Sequence, residues 1–345
     1  MASFREMSLT PAEFARLAYL DKSQVDQLEK QGLLETVRRK VGNVDRKMIP
    51  LENIQGFFAK ARIRNSEIGR RGDQTESEIA AEAATAPKRP FPPTPKNKIQ
   101  MFYNIKGGTG KSTLTSQYVM QAALMGYRVL AIDLDGQGHL TLNLDVLDSH
   151  ELPTIYDVLI NDLPMNEAIV NVAPGLDLVP ANLGLCTIEI PLNQKARREY
   201  RLSEAIQLVA DQYDLIVADT NPAASILNSS MLVASNLVNV VCATNPLSFH
   251  GMSLVMATIE DMEREFKRDL EVRIIPNMYD SREVISQEVL GELQSQFGDV
   301  CTKAVVSRST DLNEATKRRT TVWDVNSRGT GAQDIGAMTI ELLES

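Results

Sequence analysis

An α/β architecture, doubly wound around a mostly parallel sheet and preceded by a small N-terminal module, is what this sequence predicts. Three observations carry the reading. Short apolar runs at 100–104, 128–132, 176–179, 215–218, 238–242 and 272–275 alternate with longer stretches of helical periodicity, the pattern of strands joined by right-handed crossovers. The first run leads into a glycine-rich turn and then a helical stretch, 112–125, that stops at Gly126. Finally, between about Arg64 and Lys98 an Ala/Glu-rich stretch gives way to a proline-rich tract, which can neither continue a helix nor pair inside a sheet. The chain therefore reads as a module over 1–65, a linker over 66–97 with a short helix running into it, and a large domain over 98–345. No internal repeat is evident.

At 345 residues, with 43% hydrophobic and 23% charged positions, the chain is large enough for two domains with ordinary cores. No run of 18 apolar residues occurs, which excludes a membrane-spanning helix of the usual kind. The first residues lack a basic-then-apolar export signal, so residence in the cytoplasm is expected. Cys186, Cys242 and Cys301 are far apart and have no ligand-spaced histidines, which argues against a disulfide scaffold and against a zinc or iron–sulfur site. The net charge of −9 is unevenly spread. The first 98 residues hold 18 Lys+Arg against 13 Asp+Glu, and the remainder 18 against 32. A basic module on an acidic body suits nucleic-acid binding through the module alone.

The strongest chemical signal is Lys106-Gly-Gly-Thr-Gly-Lys-Ser-Thr113 between the first strand and the first long helix. Gly107, Gly108 and Gly110 let the backbone curl so that its N–H groups, those of Thr109 and Thr113 included, converge on one anion. The following helix adds the positive end of its dipole. Lys111 is spaced to reach the β- and γ-phosphates of a nucleotide, and the Ser112 hydroxyl to ligate Mg²⁺. Ile105 stands where the general phosphate-loop pattern has glycine, and Lys106 follows it. A lysine that early in the turn is badly placed for its own γ-phosphate and better placed for one in a second subunit docked face to face. Two further strands end in acids: Asp133 and Asp135 on the second, Asp219 on the apolar run that starts at Leu215. Strand ends are where open α/β folds bind ligands. Asp135 suits orientation of an attacking water or a water-mediated hold on Mg²⁺, and Asp219 suits steadying the metal.

Taken together these motifs resemble the ParA/MinD family of ATPases. The segment 106–113 resembles their deviant Walker A motif. Asp133-Leu-Asp-Gly-Gln-Gly-His-Leu-Thr141 is similar to the second motif of the plasmid-partition (ParA) branch, with Gly136 for the usual proline and His139 for asparagine. Residues 214–219 resemble the Walker B strand, and 277–282, 308–315 and 331–334 match later segments, so the resemblance spans about 98–344. It implies that Lys106 crosses a nucleotide-sandwich homodimer, that Lys111 holds phosphates in cis, that Ser112 binds Mg²⁺ and that Asp135 supports hydrolysis. Asn277 is implied as an adenine contact. ATP, ADP and Mg²⁺ are the implied cofactors. Slow turnover stimulated by a ParB-like centromere-binding partner is the implied activity, with ATP acting chiefly as a switch.

In the N-terminal module, Thr10 and Pro11 suit a helix start, Asp21 a break, and Gly32 the end of a second helix over 23–31. Two short helices joined by a tight turn are the helix–turn–helix arrangement. A basic ribbon over 38–47 follows, turning at Gly42-Asn43, with Arg38, Arg39, Lys40 and Arg46 placed as a wing on phosphates. Leu28-Glu-Lys-Gln-Gly-Leu-Leu34 with Gly42 and Arg46 resembles the MerR-type winged helix, although Met48 stands where an aromatic is usual. That implies operator DNA binding and autorepression. A helical dimerisation cap is the alternative. A second basic cluster, Lys317, Arg318 and Arg319 with Arg308 and Arg328 nearby, is either a solvated face or, as the resemblance implies, a surface for nonspecific DNA.

Neighbouring readings fare worse. A membrane-positioning ATPase needs a basic amphipathic C-terminal helix, whereas 339–345 is short and acidic. An iron–sulfur reductase needs cluster-bridging cysteines, which the three present do not supply. A transcriptional repressor with ATP or ADP as ligand is the remaining alternative. Loss of residues 1–97 is expected to abolish repression and spare the ATPase. The sum is a cytoplasmic, nucleoid-associated DNA-partition ATPase.

Overall fold

The computed structural model describes residues 4–41, 44–68, 95–96 and 98–345. The expected linker helix, the proline-rich tract up to Thr94 and the Gly42-Asn43 turn lie outside them. Seven strands form the main sheet: β4 (Ile99–Tyr103), β5 (Val129–Leu134), β6 (Val170–Ala173), β7 (Leu176–Val179), β8 (Leu215–Thr220), β9 (Leu237–Ala243) and β10 (Glu271–Asn277). Their order is β10-β9-β4-β8-β5-β7-β6, and every pairing is parallel except β6 with β7. Each of the six apolar runs contains one strand, usually extended by a residue or two. The strand missed, β6, is an edge strand whose Val-Asn-Val-Ala is only partly buried. β5, β8 and β9 are buried along their whole length, as strands covered on both faces must be.

The N-terminal elements sit close to where the sequence puts them. Helix α1 (Pro11–Leu17) starts from a capping box in which the Thr10 hydroxyl accepts from the Glu13 N–H and the Glu13 carboxylate accepts from the Thr10 N–H. Asp21 is the cap of α2 (Lys22–Lys30) by the same reciprocal pattern with Gln24. Each such cap contributes about 1 kcal/mol. Gly32 takes φ +68°. Strands β2 (Val37–Val41) and β3 (Val44–Pro50) pair antiparallel, a short strand β1 (Ser8–Leu9) adds to β3, and helix α3 (Leu51–Ile68) follows.

This module does not stand apart from the body. Phe14, Ile54, Phe57 and Phe58 belong to the same apolar core as Tyr118, Val119, Ala123, Tyr127 and Ile335. The long helix after the glycine-rich turn, α4 (Lys111–Leu124), is covered at its far end by α3. There the Gln55 amide nitrogen donates to the carbonyls of Ala123 (3.0 Å) and Pro174 (2.7 Å). Arg16 donates to Ser327 (2.7 Å) and Arg5 to Asn171 (2.8 Å). Gly126 lies so close to α3 that a Cβ there would meet the Gln55 carbonyl oxygen at 2.6 Å, and its φ is +76°.

Two outcomes are expected. Gly126→Ala lowers the unfolding free energy by about 2 kcal/mol or more, from strain plus backbone collision, measured by denaturant titration. Deleting residues 1–97 uncovers the α4 side of the core, so the remainder aggregates or melts well below the full chain, rather than persisting as the intact ATPase the sequence suggests.

Candidate nucleotide site

The site forms at the carboxyl edge of the sheet, where β4 turns into α4. Gly108 and Gly110 adopt φ +76° and +91°, conformations that cost an L side chain energy and suit glycine. A Cβ on Gly108 would point into open space, while one on Gly110 would collide with the Asn277 amide at 2.3 Å. The turn is braced from both sides. Asn104, buried at the end of β4, accepts from the Lys106 N–H (2.9 Å) and donates to the Val241 carbonyl (2.8 Å). Asn277, buried at the end of β10, donates to the Thr109 carbonyl (2.7 Å).

Lys111 is buried, and its ammonium reaches back to the Lys106 carbonyl (3.2 Å). Burial lowers its pKa, opposed by the negative charges of Asp219 and Asp135. Those attractions show that the structure brings the loop and the two acids together. Lys106 is half-buried and has no ion-pair partner among the described residues.

The three aspartates separate by environment. Asp133 and Asp219 are fully buried and lie side by side on β5 and β8. Asp133 is saturated: it accepts from the Thr141 N–H (2.8 Å) and hydroxyl (2.7 Å) and from the Asp135 N–H (3.1 Å). Burial still pushes it up to about 6. It works as a structural clasp on the loop that carries Asp135. Asp219 accepts at one oxygen from Thr115 (3.2 Å), but its Oδ2 is buried without a partner, as is the Thr109 hydroxyl. Burial and then the charge of Asp133 push Asp219 up to about 8, although the nearby Ser112 hydroxyl and the Lys111 charge oppose this. An orphaned carboxylate oxygen beside a serine hydroxyl and a lysine fits a divalent cation carried in on a polyphosphate. Asp135, half-buried, accepts from the Gln137 N–H (3.0 Å).

After β8, the Asn228 amide gathers the carbonyls of Asn221 (3.0 Å) and Ala223 (2.6 Å), shaping a loop whose Pro222 approaches Gly107. Sequence reasoning did not single out Asn104, Thr115 or Asn228. Asn104 carried a usable signal, a polar residue closing an apolar strand directly before a glycine-rich turn.

The basic residues lie elsewhere. Arg38, Arg39, Lys40 and Arg46 are exposed on the β2–β3 ribbon, with Arg39 directly opposite Arg46. In the second cluster, Lys317 is exposed, whereas Arg318 pairs with Asp324 (2.5 Å) and Arg319 with Asp145 (3.3 Å). Two of its three cations therefore already have carboxylate partners.

A parallel sheet whose first strand turns through a glycine-rich anion cradle, with a buried aspartate on the adjoining strand, defines a P-loop nucleotide-binding fold. The AAA domain family AAA_31 matches residues 97–272. The cell division protein PomZ of Myxococcus xanthus is 34% identical over 255 residues, 73% of this chain and 80% of that protein. The chromosome partitioning protein ParA of Caulobacter vibrioides (strain NA1000 / CB15N) is 32% identical over 222 residues, 63% and 83% respectively. Among solved structures, cobyrinic acid a,c-diamide synthase from Mycobacterium smegmatis with bound ADP and magnesium superposes with a TM-score of 0.57 at 28% identity, covering 64% of this chain and 91% of that one. The chain belongs to the AAA_31 family and, within it, to the ParA-type P-loop ATPases. No helix among the described residues is long and apolar enough to cross a membrane.

Two measurements check the site. Removing the Asn104 side chain (Asn104→Ala) loosens the loop and leaves buried groups unpaired, so nucleotide affinity falls about tenfold, read by titration with a fluorescent ATP analogue. Asp219 has a folded pKa above its unfolded value, so its protonation stabilises the nucleotide-free protein most below about pH 4, and that contribution is lost as pH rises through about 8. The melting temperature without nucleotide should therefore fall between about pH 4 and 8 and level off above that, and Asp219→Asn should flatten the fall.

Proposed function

We propose that this protein is a DNA-partition ATPase whose nucleotide state controls self-association and DNA binding. The observation that carries the reading is Lys106: half-buried in the phosphate loop, without a carboxylate partner among the described residues, and distinct from Lys111, which already serves the cradle from within. An ammonium so placed suits the nucleotide of a second copy docked face to face. Mg²⁺·ATP supplies the triphosphate and the metal charge at this site. The chain contributes the cradle of Gly107, Gly108, Thr109, Gly110, Lys111 and Thr113, and the metal-facing oxygens of Ser112 and Asp219. Asp135 orients the attacking water or holds the metal through a water. Asn277 meets the adenine with what its strut role leaves free. Because a ligand shifts an equilibrium only by binding one state better, the γ-phosphate favours the pair over the single copy. A ParB-like partner stimulates hydrolysis, and the protein acts in the cytoplasm on nucleoid DNA.

DNA contact belongs chiefly to the ribbon. Like charges directly across a strand pair destabilise it, and the Arg39–Arg46 juxtaposition is relieved by a phosphate between them. That arrangement also favours the second reading, operator binding and autorepression through the N-terminal module. Lys317 is the freest cation of the second cluster.

Sedimentation with ADP, ATP and a slowly hydrolysed analogue should show pairing only with a γ-phosphate, and Lys106→Gln should abolish it. Pairing that ignores the γ-phosphate defeats the reading. For DNA, Arg39→Ala and Arg46→Ala should each reduce the slope of log affinity against log salt by about 0.9, the loss of one phosphate contact apiece.

A further inference from the structure

The loop carrying Asp135 is packed against the segment that follows β7, and the contact is unusually tight. A Cβ on Gly136 would sit 2.4 Å from Cys186 Sγ, 3.0 Å from its backbone nitrogen and 3.4 Å from its Cα. Cys186 lies on a 3₁₀ turn (Leu183–Thr187) that begins where the Asn182 side chain accepts from the Gly184 N–H (2.9 Å) and is anchored by buried Leu185. Nearby, the Ala181 N–H donates to the Thr141 hydroxyl (2.9 Å), and Thr141 is the residue clasped by Asp133. Downstream, helix Glu189–Asn193 turns the same segment toward the other side of the site. Glu189 accepts from the Ile226 N–H (3.0 Å), at the start of the helix that holds Asn228 and shapes the loop after β8.

We infer that residues 181–193 form a brace across both loops of the site, and that Cys186 is the positioning residue that sets Asp135. Gly136 itself is buried, and the side chain and backbone of Cys186, a residue otherwise exposed to solvent, occupy the place a Cβ there would take, so the loop that Asp133 clasps from within is bounded from outside by this residue. The thiol needs no chemistry for this; it is a shape. Small displacements of a reacting group cost large factors in rate, so the brace governs turnover more than binding. The inference rests on the role proposed for Asp135.

The test uses the full chain with Mg²⁺·ATP. Gly136→Ala, whose Cβ collides with the sulfur, should lower kcat about tenfold with KM and nucleotide affinity within twofold of wild type. Adding Cys186→Gly should recover most of the loss, and Cys186→Ser alone should keep wild-type kcat. Wild-type turnover by Gly136→Ala, or no recovery in the double variant, overturns the brace. Hydrogen exchange supplies a readout that does not depend on catalysis. In Cys186→Ala, the amides of Gln137 and Gly138 should exchange several-fold faster; unchanged exchange overturns the brace as well. Wild-type ATPase in Asp135→Ala would instead defeat the role of Asp135, and exchange would still decide whether Cys186 positions the loop.

Discussion

Two buried carboxylates on neighbouring strands, Asp133 and Asp219, and one buried ammonium, Lys111, make the carboxyl edge of this sheet an electrostatic compromise on which the rest of the site depends. Burial raises both acids and lowers the lysine, so it works against the charged form of each, and the site favours a ligand that stabilises those charges. The asymmetry within the pair makes the arrangement useful. Asp133 is satisfied by three donors and holds a loop, whereas Asp219 keeps an oxygen that nothing in the protein satisfies.

Around that centre the protein uses neutral amides as struts. Asn104, Asn277 and Asn228 tie the phosphate loop and the loop after β8 to neighbouring carbonyls. An amide can donate and accept at once and adds no charge to a site already crowded with carboxylates. The far end of α4 is held too, since Gln55 joins the Ala123 carbonyl of its last turn and the Pro174 carbonyl of the β6–β7 turn to the N-terminal module. Phosphate loop, helix and basic ribbon thus belong to one packed body.

Much of this was readable from residues alone. Six strands announced themselves as apolar runs because strands covered on both faces need no polar alternation, and β6 escaped because an edge strand does not obey that rule. The glycine-rich turn between β4 and α4 followed from spacing, and the caps at Thr10 and Asp21 from residue type. The sequence singled out Asp135 for the water or the metal and left Asp133 without a role. They are two residues apart at one strand end, and only the fold decides that Thr141 returns to clasp the first. The basic run at 317–319 looked like three free cations until the fold brought Asp324 and Asp145 to two of them.

The sequence by itself determined what is local: the period of each strand and helix, the turn glycines, the caps, and the order of residues in a phosphate cradle. These depend on contacts a few residues apart, which composition and spacing encode directly. Only the tertiary structure decided that Phe4, Phe14, Ile54, Phe57 and Phe58 share a core with the ATPase body, that Asp219 rather than Asp133 keeps an unpaired oxygen, and that Cys186 lies where a Cβ on Gly136 would be. Each of those depends on groups tens to more than two hundred positions apart. Their meeting is set by packing and desolvation of the whole chain.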